Sequence, residues 1–83
     1  MFSIDPQKNK VTIKFENSIY FVSAIEQALN DFSEILHSKF ELTDYYIIVT
    51  LLPKEKLPEK ELKTLALEFS TYVFGVMKNN NMV

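Results

Sequence analysis

Few residues in this chain are suited to chemistry. His37 is the only histidine, and there is no cysteine. An imidazole acts as a general base when a nucleophile or an orienting partner lies within hydrogen-bond reach, and no motif here supplies one. We interpret His37 as lying near the C-terminus of a helix, where the helix dipole favours a charged imidazole. His37→Ala is therefore expected to leave function intact.

The carboxylates of the first predicted helix are the other candidates for acid/base chemistry or for a metal site. Glu26, Asp31 and Glu34 share its polar face, without the Glu-x-x-His arrangement of metal-binding helix bundles, so a solvated face is favoured. The lack of cysteine removes thiolate catalysis and the usual zinc and iron–sulfur ligand sets. Gly75, the only glycine, cannot form a glycine-rich phosphate loop. The sequence therefore predicts no catalytic, cofactor-binding or metal-binding residue.

Composition predicts one packed domain, over residues 1–78, followed by a polar tail over residues 79–83. The 83 residues are 47% hydrophobic, and the net charge of −2 provides no basic field for nucleic acid. No apolar run approaches the ~20 residues of a membrane span, and no basic region precedes an apolar one at the N-terminus. We expect a cytoplasmic protein that binds neither membranes nor nucleic acid.

The most informative stretch runs from Tyr45 to Leu52 and is closed by Pro53. β-Branched and aromatic residues before a proline indicate a strand. Both of its faces are apolar except at Thr50, so both are expected to need cover. This excess predicts self-association or docking on a larger protein. A strand left bare to water on one side would remove that reason.

Two hairpins are predicted around this strand. Phe2 to Glu16 reads as the first, with turn residues after Asp5; the alternative is a disordered terminus before a single strand. Phe40 and Leu42 alternate with polar residues and lead through Thr43-Asp44 into the strand described above.

Two amphipathic helices follow the hairpins. The first begins at Ser23, whose spacing from Glu26 fits a capping box, or alternatively near Ser18 or Phe21, and it ends near His37-Ser38. The second begins near Pro58. Apolar residues at spacings of three and four form the buried stripes: Val22, Ile25, Ala28, Leu29, Phe32, Ile35 and Leu36 in the first helix, and Leu62, Leu65, Ala66, Phe69, Tyr72, Val73 and Val76 in the second. Leu67, Phe74 and Met77 fall off the second stripe.

The predicted fold class is α+β, in the order β-β-α-β-β-α, with an antiparallel sheet and two helices on one face. Partner-binding residues are predicted on the second face of the central strand and on the last helix: Tyr46, Ile48, Tyr72, Phe74 and Met77. For the last three, core packing is favoured over partner binding. A homo-oligomer would use the same surfaces.

Residues 13 to 73 resemble the HxsD-like family, the small accessory proteins of the His-Xaa-Ser repeat system. The resemblance is carried by apolar spacing and one Val-Thr-Leu-x-Pro-Lys run: Ile19-Tyr20, Ala24-Ile25, Ala28, Phe32, Val49-Thr50-Leu51, Pro53-Lys54 and Glu68-Phe69. The chain departs from the family near its end, where Thr71, Gly75 and Asn79, Asn80 and Asn81 replace the family's Asn, Asp and terminal Leu-Arg.

The resemblance implies a role beside radical S-adenosylmethionine enzymes that modify a His-Xaa-Ser-rich peptide or protein. Their iron–sulfur cluster would lie in another subunit. We therefore expect a non-catalytic accessory protein that binds the substrate or the enzyme, by strand addition or through an apolar helix face. The alternatives are a homo-oligomeric structural or regulatory protein and a small enzyme, which would need a pocket with convergent polar groups.

Overall fold

A computed structural model describes all residues, 1–83, and shows six elements in the predicted order. These are β1 (Phe2–Asp5), β2 (Lys10–Glu16), α1 (Val22–Asp31), β3 (Leu36–Leu42), β4 (Tyr46–Pro53) and α2 (Glu59–Asn79). The α+β prediction and both hairpins are confirmed. The predicted strand at Tyr45 begins one residue later, because Tyr45 belongs to the turn and is 75% exposed.

The four strands form one open antiparallel sheet in the order β1-β2-β4-β3. Val49 lies at its centre, opposite Ile13 of β2 on one side and Phe40 of β3 on the other. The central pair, β2 and β4, joins the two β-β-α halves of the chain. Neither half therefore has a complete sheet of its own.

Both helices pack on the same face of the sheet, as predicted. Alternate residues of β2 and β4 point towards them and are almost fully buried, because side chains of a strand alternate between its two faces: Val11, Ile13, Phe15, Ile47, Val49 and Leu51. Ile25 of α1 and Phe69 of α2 are fully buried against this layer. All 18 buried residues are apolar and form one cluster, so the fold depends on packing in a single core.

Phe69 is the centre of the aromatic part of the core. Its ring centroid lies 5.3 Å from that of Phe32 and 6.3 Å from that of Phe15. Phe15 in turn meets Tyr20 at 4.8 Å, edge to face. Phe69 thus connects α2 both to β2 and to the segment that follows α1.

Helix α1 is shorter than predicted. It starts at Val22 after Phe21, the alternative start, and no side chain caps it, so the Ser23 capping box was wrong. It ends at Asp31, and a turn follows in which the Leu36 N–H donates to the Phe32 carbonyl. His37 therefore lies on β3, and its predicted place at a helix end was wrong. No glycine or proline marks this stop, and pairing of β3 with β4 overrides the helical spacing.

Two asparagines connect the turns at opposite ends of the sheet. Asn9, in the β1–β2 turn, is hydrogen-bonded through its side chain to Pro53, Glu55 and Leu57 of the β4–α2 connection. The Asn17 amide donates to the Asp44 carbonyl in the β3–β4 turn at 3.0 Å. Each contact joins segments distant in sequence.

The C-terminal residues finish α2. Asn81 has a positive φ of 58°, and the Met82 N–H donates to the Met77 carbonyl at 2.8 Å. This is the Schellman arrangement, in which a left-handed residue lets the chain turn back over the last carbonyls. Met82 also packs against the core, so Asn80, Asn81 and Met82 cap the end of the helix.

Candidate functional site

The sheet face opposite the helices carries two of the predicted partner residues, Tyr46 and Ile48. No element of the chain covers this outer face. Tyr46 is 38% exposed, whereas Ile48, Thr50 and Leu52 are half-buried. These outer-face residues of β4 are therefore neither fully buried nor fully exposed.

Long polar side chains on the neighbouring strands flank these outer-face residues of β4. The Lys14 ammonium lies 5.3 Å from the centroid of the Tyr46 ring, a cation–π contact. In the sheet register Ile48 lies between Lys14 and Glu41, whose aliphatic parts suit them to shield it while their charges stay in water. The side chains of neighbouring strands thus account for part of the cover of this face, and its coverage by a partner stays a prediction.

The three predicted partner residues of α2 lie in three different places. Met77 is fully buried, in agreement with the core-packing role. Phe74 is 49% exposed on the outward side of the helix. Tyr72, predicted in the buried stripe, is 40% exposed beside α1. The predicted residues therefore do not form one site.

Tyr72 joins α2 to the end of α1. Its hydroxyl donates a hydrogen bond to Asp31 Oδ2 at 2.5 Å, and its ring meets Phe32 edge to face at 5.2 Å. The hydrogen bond to the Asp31 carboxylate is the main cause that raises the pKa of Tyr72, with burial and the negative charge of Asp31 adding to it. The neutral phenol is thus the form that the fold favours.

Two apolar features of α2 were not named as partner-binding. Leu67 is 59% exposed and lies seven residues, two helical turns, before Phe74. Leu67 and Tyr72 border a shallow groove of about 500 Å³, which Phe32, Glu68 and Thr71 complete. The spacing of Leu67 and Phe74 was visible in the sequence. The groove was not, because it needs the position of α1.

Gly75 lies in the interior of α2, next to this apolar surface. A Cβ placed on it meets no atom within 4 Å, and its φ is negative. It borders a second cavity of about 250 Å³ with Gln27, Tyr72 and Asn79 among the lining residues. Neither close packing nor backbone conformation in this chain requires a glycine there. We define Leu67, Thr71, Tyr72, Phe74 and Gly75 as the α2 outer surface.

The four titratable residues that the sequence offers for chemistry lie in three different parts of the fold. Glu26 and Asp31 are on α1, Glu34 is in the turn after it, and His37 is exposed on β3. The Tyr72 hydroxyl is the only side-chain partner hydrogen-bonded to any of the four. No group of three His, Cys, Asp or Glu residues is arranged to hold a metal ion.

No helix combines the length and the apolar character needed to cross a membrane. Comparison of the chain with family models, with curated proteins and with solved structures finds no match.

Proposed function

We propose that this chain is a non-catalytic binding protein that uses the α2 outer surface to dock a protein or peptide partner. The partner system we infer is the one the sequence resemblance implies: a radical S-adenosylmethionine enzyme and the polypeptide it modifies. The observation that carries the docking proposal is the placement of the only glycine between exposed aromatic side chains on an outward helix surface.

Gly75 supports this proposal because the chain itself gives it no role. Glycine in a helix interior costs about 1 kcal/mol relative to alanine. The space above its Cα is empty, so alanine would fit without a clash. A glycine at such a position suits a surface where a partner approaches the helix backbone closely.

The neighbouring side chains supply suitable anchors. Tyr and Phe contribute large contact areas, and aromatic residues are common among the residues that dominate binding energy. Phe74 and Leu67 form one exposed stripe, and Tyr72 stands on the other side of Gly75, held by Asp31. A partner side chain over Gly75 would contact aromatic rings on both sides.

The decisive experiment is Gly75→Ala, because its effects on stability and on docking have opposite signs. We expect the free energy of unfolding to rise by roughly 0.5–1 kcal/mol, as for an exposed helix interior. We expect affinity for the partner to fall, since a methyl group then occupies the contact. Urea unfolding measures the first quantity, and calorimetric titration measures the second. Greater stability with unchanged affinity would remove Gly75 from the binding surface.

Partner capture tests the proposed system. The tagged chain would be co-expressed with radical enzymes and His-Xaa-Ser-rich polypeptides encoded beside it, each separately and then together. We expect retention of the enzyme or of the polypeptide, and loss of retention with Leu67→Ala and Phe74→Ala. Ile19→Ala is the matched control, because Ile19 is 57% exposed, almost as Leu67 is, but lies in the β2–α1 connection. The assignment to this system fails if neither partner is retained, or if no genes for such an enzyme and polypeptide lie beside the gene for this chain.

A homo-oligomeric structural or regulatory protein is the alternative function. Copies would then occupy the α2 outer surface, and Leu67→Ala and Phe74→Ala would lower the mass measured by light scattering while Ile19→Ala would not.

A further inference from the structure

We propose that the free edge of β3 binds the β3 strand of a second copy of this chain, antiparallel, with the two-fold axis at Phe40. The two sheets would then join into one. β3 is an edge strand of seven residues, paired only with β4, whereas the other edge strand, β1, has four. An unpaired strand edge is a template for another strand.

The backbone of β3 offers three consecutive sites for such pairing. The Ile35 carbonyl accepts from the Lys54 N–H, and the Thr43 N–H donates to the Tyr46 carbonyl. Odd-numbered residues between these positions therefore direct both backbone groups towards β4. The even-numbered residues Ser38, Phe40 and Leu42 direct theirs to the free edge, and no loop or side chain hydrogen-bonds to them. Leu36, by contrast, already donates its N–H to Phe32.

An axis at Phe40 uses all three free residues. Phe40 then lies opposite its own copy, and Ser38 lies opposite Leu42 on each side, each pair exchanging both hydrogen bonds. An axis at Glu41 leaves Ser38 without a strand partner. An axis at Lys39 or at Ser38 requires the N–H of Leu36, which is already donated to Phe32. The backbone alone therefore favours Phe40.

Charge leads to the same register. With the axis at Phe40, Lys39 of each copy lies directly opposite Glu41 of the other. An axis at Lys39 or at Glu41 would instead place two like charges opposite each other. Neither side chain has an ion-pair partner within the chain, where the one salt bridge joins Lys63 and Glu59. Lys39 would thus repel a basic strand, whereas in a second copy of this chain it would face Glu41.

Two of the three edge residues, Phe40 and Leu42, are apolar. Phe40 is half-buried against the core, and Leu42 is 60% exposed. Pairing would bring the two Phe40 rings together and cover part of Leu42. This surface is separate from α2, so failure of the dimer leaves the proposed function untouched, and the converse also holds.

Charge reversal tests the pairing in solution. Sedimentation velocity over a concentration series should show dimerisation of the unmodified chain. Lys39→Glu and Glu41→Lys should each weaken it by about tenfold or more, since two attractive pairs become repulsive. The double variant should restore it. A monomer at all concentrations, or a double variant no better than the single ones, would overturn the proposal. Far-UV circular dichroism checks that every variant folds.

Disulfide formation tests the register independently, because the natural chain has no cysteine. Single variants Ser38→Cys, Lys39→Cys, Phe40→Cys and Glu41→Cys would be oxidised at equal concentration, with Ser3→Cys on β1 as the control. Residues paired across an antiparallel ladder have Cα atoms about 5.5 Å apart, within disulfide range. We expect the fastest cross-linking at position 40. A maximum at another β3 position refutes the register, and cross-linking rates equal to that of the control refute pairing at this edge.

A foreign strand is the other possible occupant of the edge. If a synthetic His-Xaa-Ser repeat peptide protects amides 38, 40 and 42 of a monomeric chain from hydrogen exchange, the edge binds that peptide and not a second copy.

Discussion

Replacement of Asn9 should destabilise the fold far more than its position in a surface turn suggests. Its Nδ2 group donates to the carbonyls of Pro53 and Glu55 at 3.2 and 2.9 Å, and its Oδ1 accepts from the Leu57 N–H at 2.9 Å. Its φ is 53°, in the left-handed region. One side chain thus fixes the β1–β2 turn against the connection between β4 and α2.

The size of the effect follows from these contacts. Three hydrogen bonds contribute about 0.5–1.5 kcal/mol each, so Asn9→Gly, which keeps the backbone conformation, should cost roughly 1.5–4.5 kcal/mol. Asn9→Ala should cost about 1 kcal/mol more, because a Cβ without a compensating polar group disfavours positive φ. Total stability for a chain of this length is about 4–12 kcal/mol. The loss would be a large share of it.

The measurement is urea unfolding followed by far-UV circular dichroism, comparing midpoints at constant slope. Asn81 supplies a matched control, since its φ is 58° and its side chain makes no hydrogen bond within the chain. Asn81→Gly should therefore change the free energy of unfolding by less than about 0.5 kcal/mol. If Asn9→Gly is equally mild, the side-chain bonds do not stabilise the fold. If Asn9→Ala equals Asn9→Gly, the backbone part of the reasoning is refuted.

Two further predictions concern the core and the Tyr72 contact. Phe69→Ala should lower the free energy of unfolding by about 3–5 kcal/mol, because the ring is fully buried among aromatic partners. Phe69→Leu should lower it much less. In urea unfolding, a loss under about 1 kcal/mol for the alanine variant would contradict the core as described. In ultraviolet titration of the phenols, Tyr72 should ionise above the ordinary range, and Asp31→Asn should lower its pKa towards the ordinary value. Because the folded-state pKa of Tyr72 is raised, its contribution to stability is present below the unfolded pKa and is lost as pH rises through the raised value; thermal melts across that window should show a smaller loss for Asp31→Asn.

Regular spacing made most of the fold predictable. The period of two in Val11, Ile13 and Phe15 predicted the buried face of β2, and the spacing in α2 predicted six of its seven buried residues: Leu62, Leu65, Ala66, Phe69, Val73 and Val76. The seventh, Met77, was assigned outside the stripe because the stripe was drawn through Tyr72. Tyr72 borders α1 instead, and its hydroxyl reaches Asp31.

The errors occur where non-local pairing decides the structure. Ile35 and Leu36 continue the helical spacing of α1, yet Leu36 pairs with Pro53 in the sheet and Ile35 is 59% exposed. The partial cover of the outer sheet face could not be predicted from the sequence either, since Lys14 reaches Tyr46 only after β2 and β4 are aligned. The candidate site was predictable only in part, because the empty space above Gly75 is a property of the assembled surface.

The pairing of β2 with β4 has a consequence for synthesis of the chain. Residues 17–45 must be translated after β2 before its central neighbour β4 is synthesised, which takes roughly 1.5 to 6 seconds at ordinary ribosomal rates. During that interval β2 has only β1 as a strand partner, and Val11, Ile13 and Phe15 lack the α2 layer above them. The hairpin of β1 and β2 therefore exposes an apolar face until the second half of the chain has been synthesised.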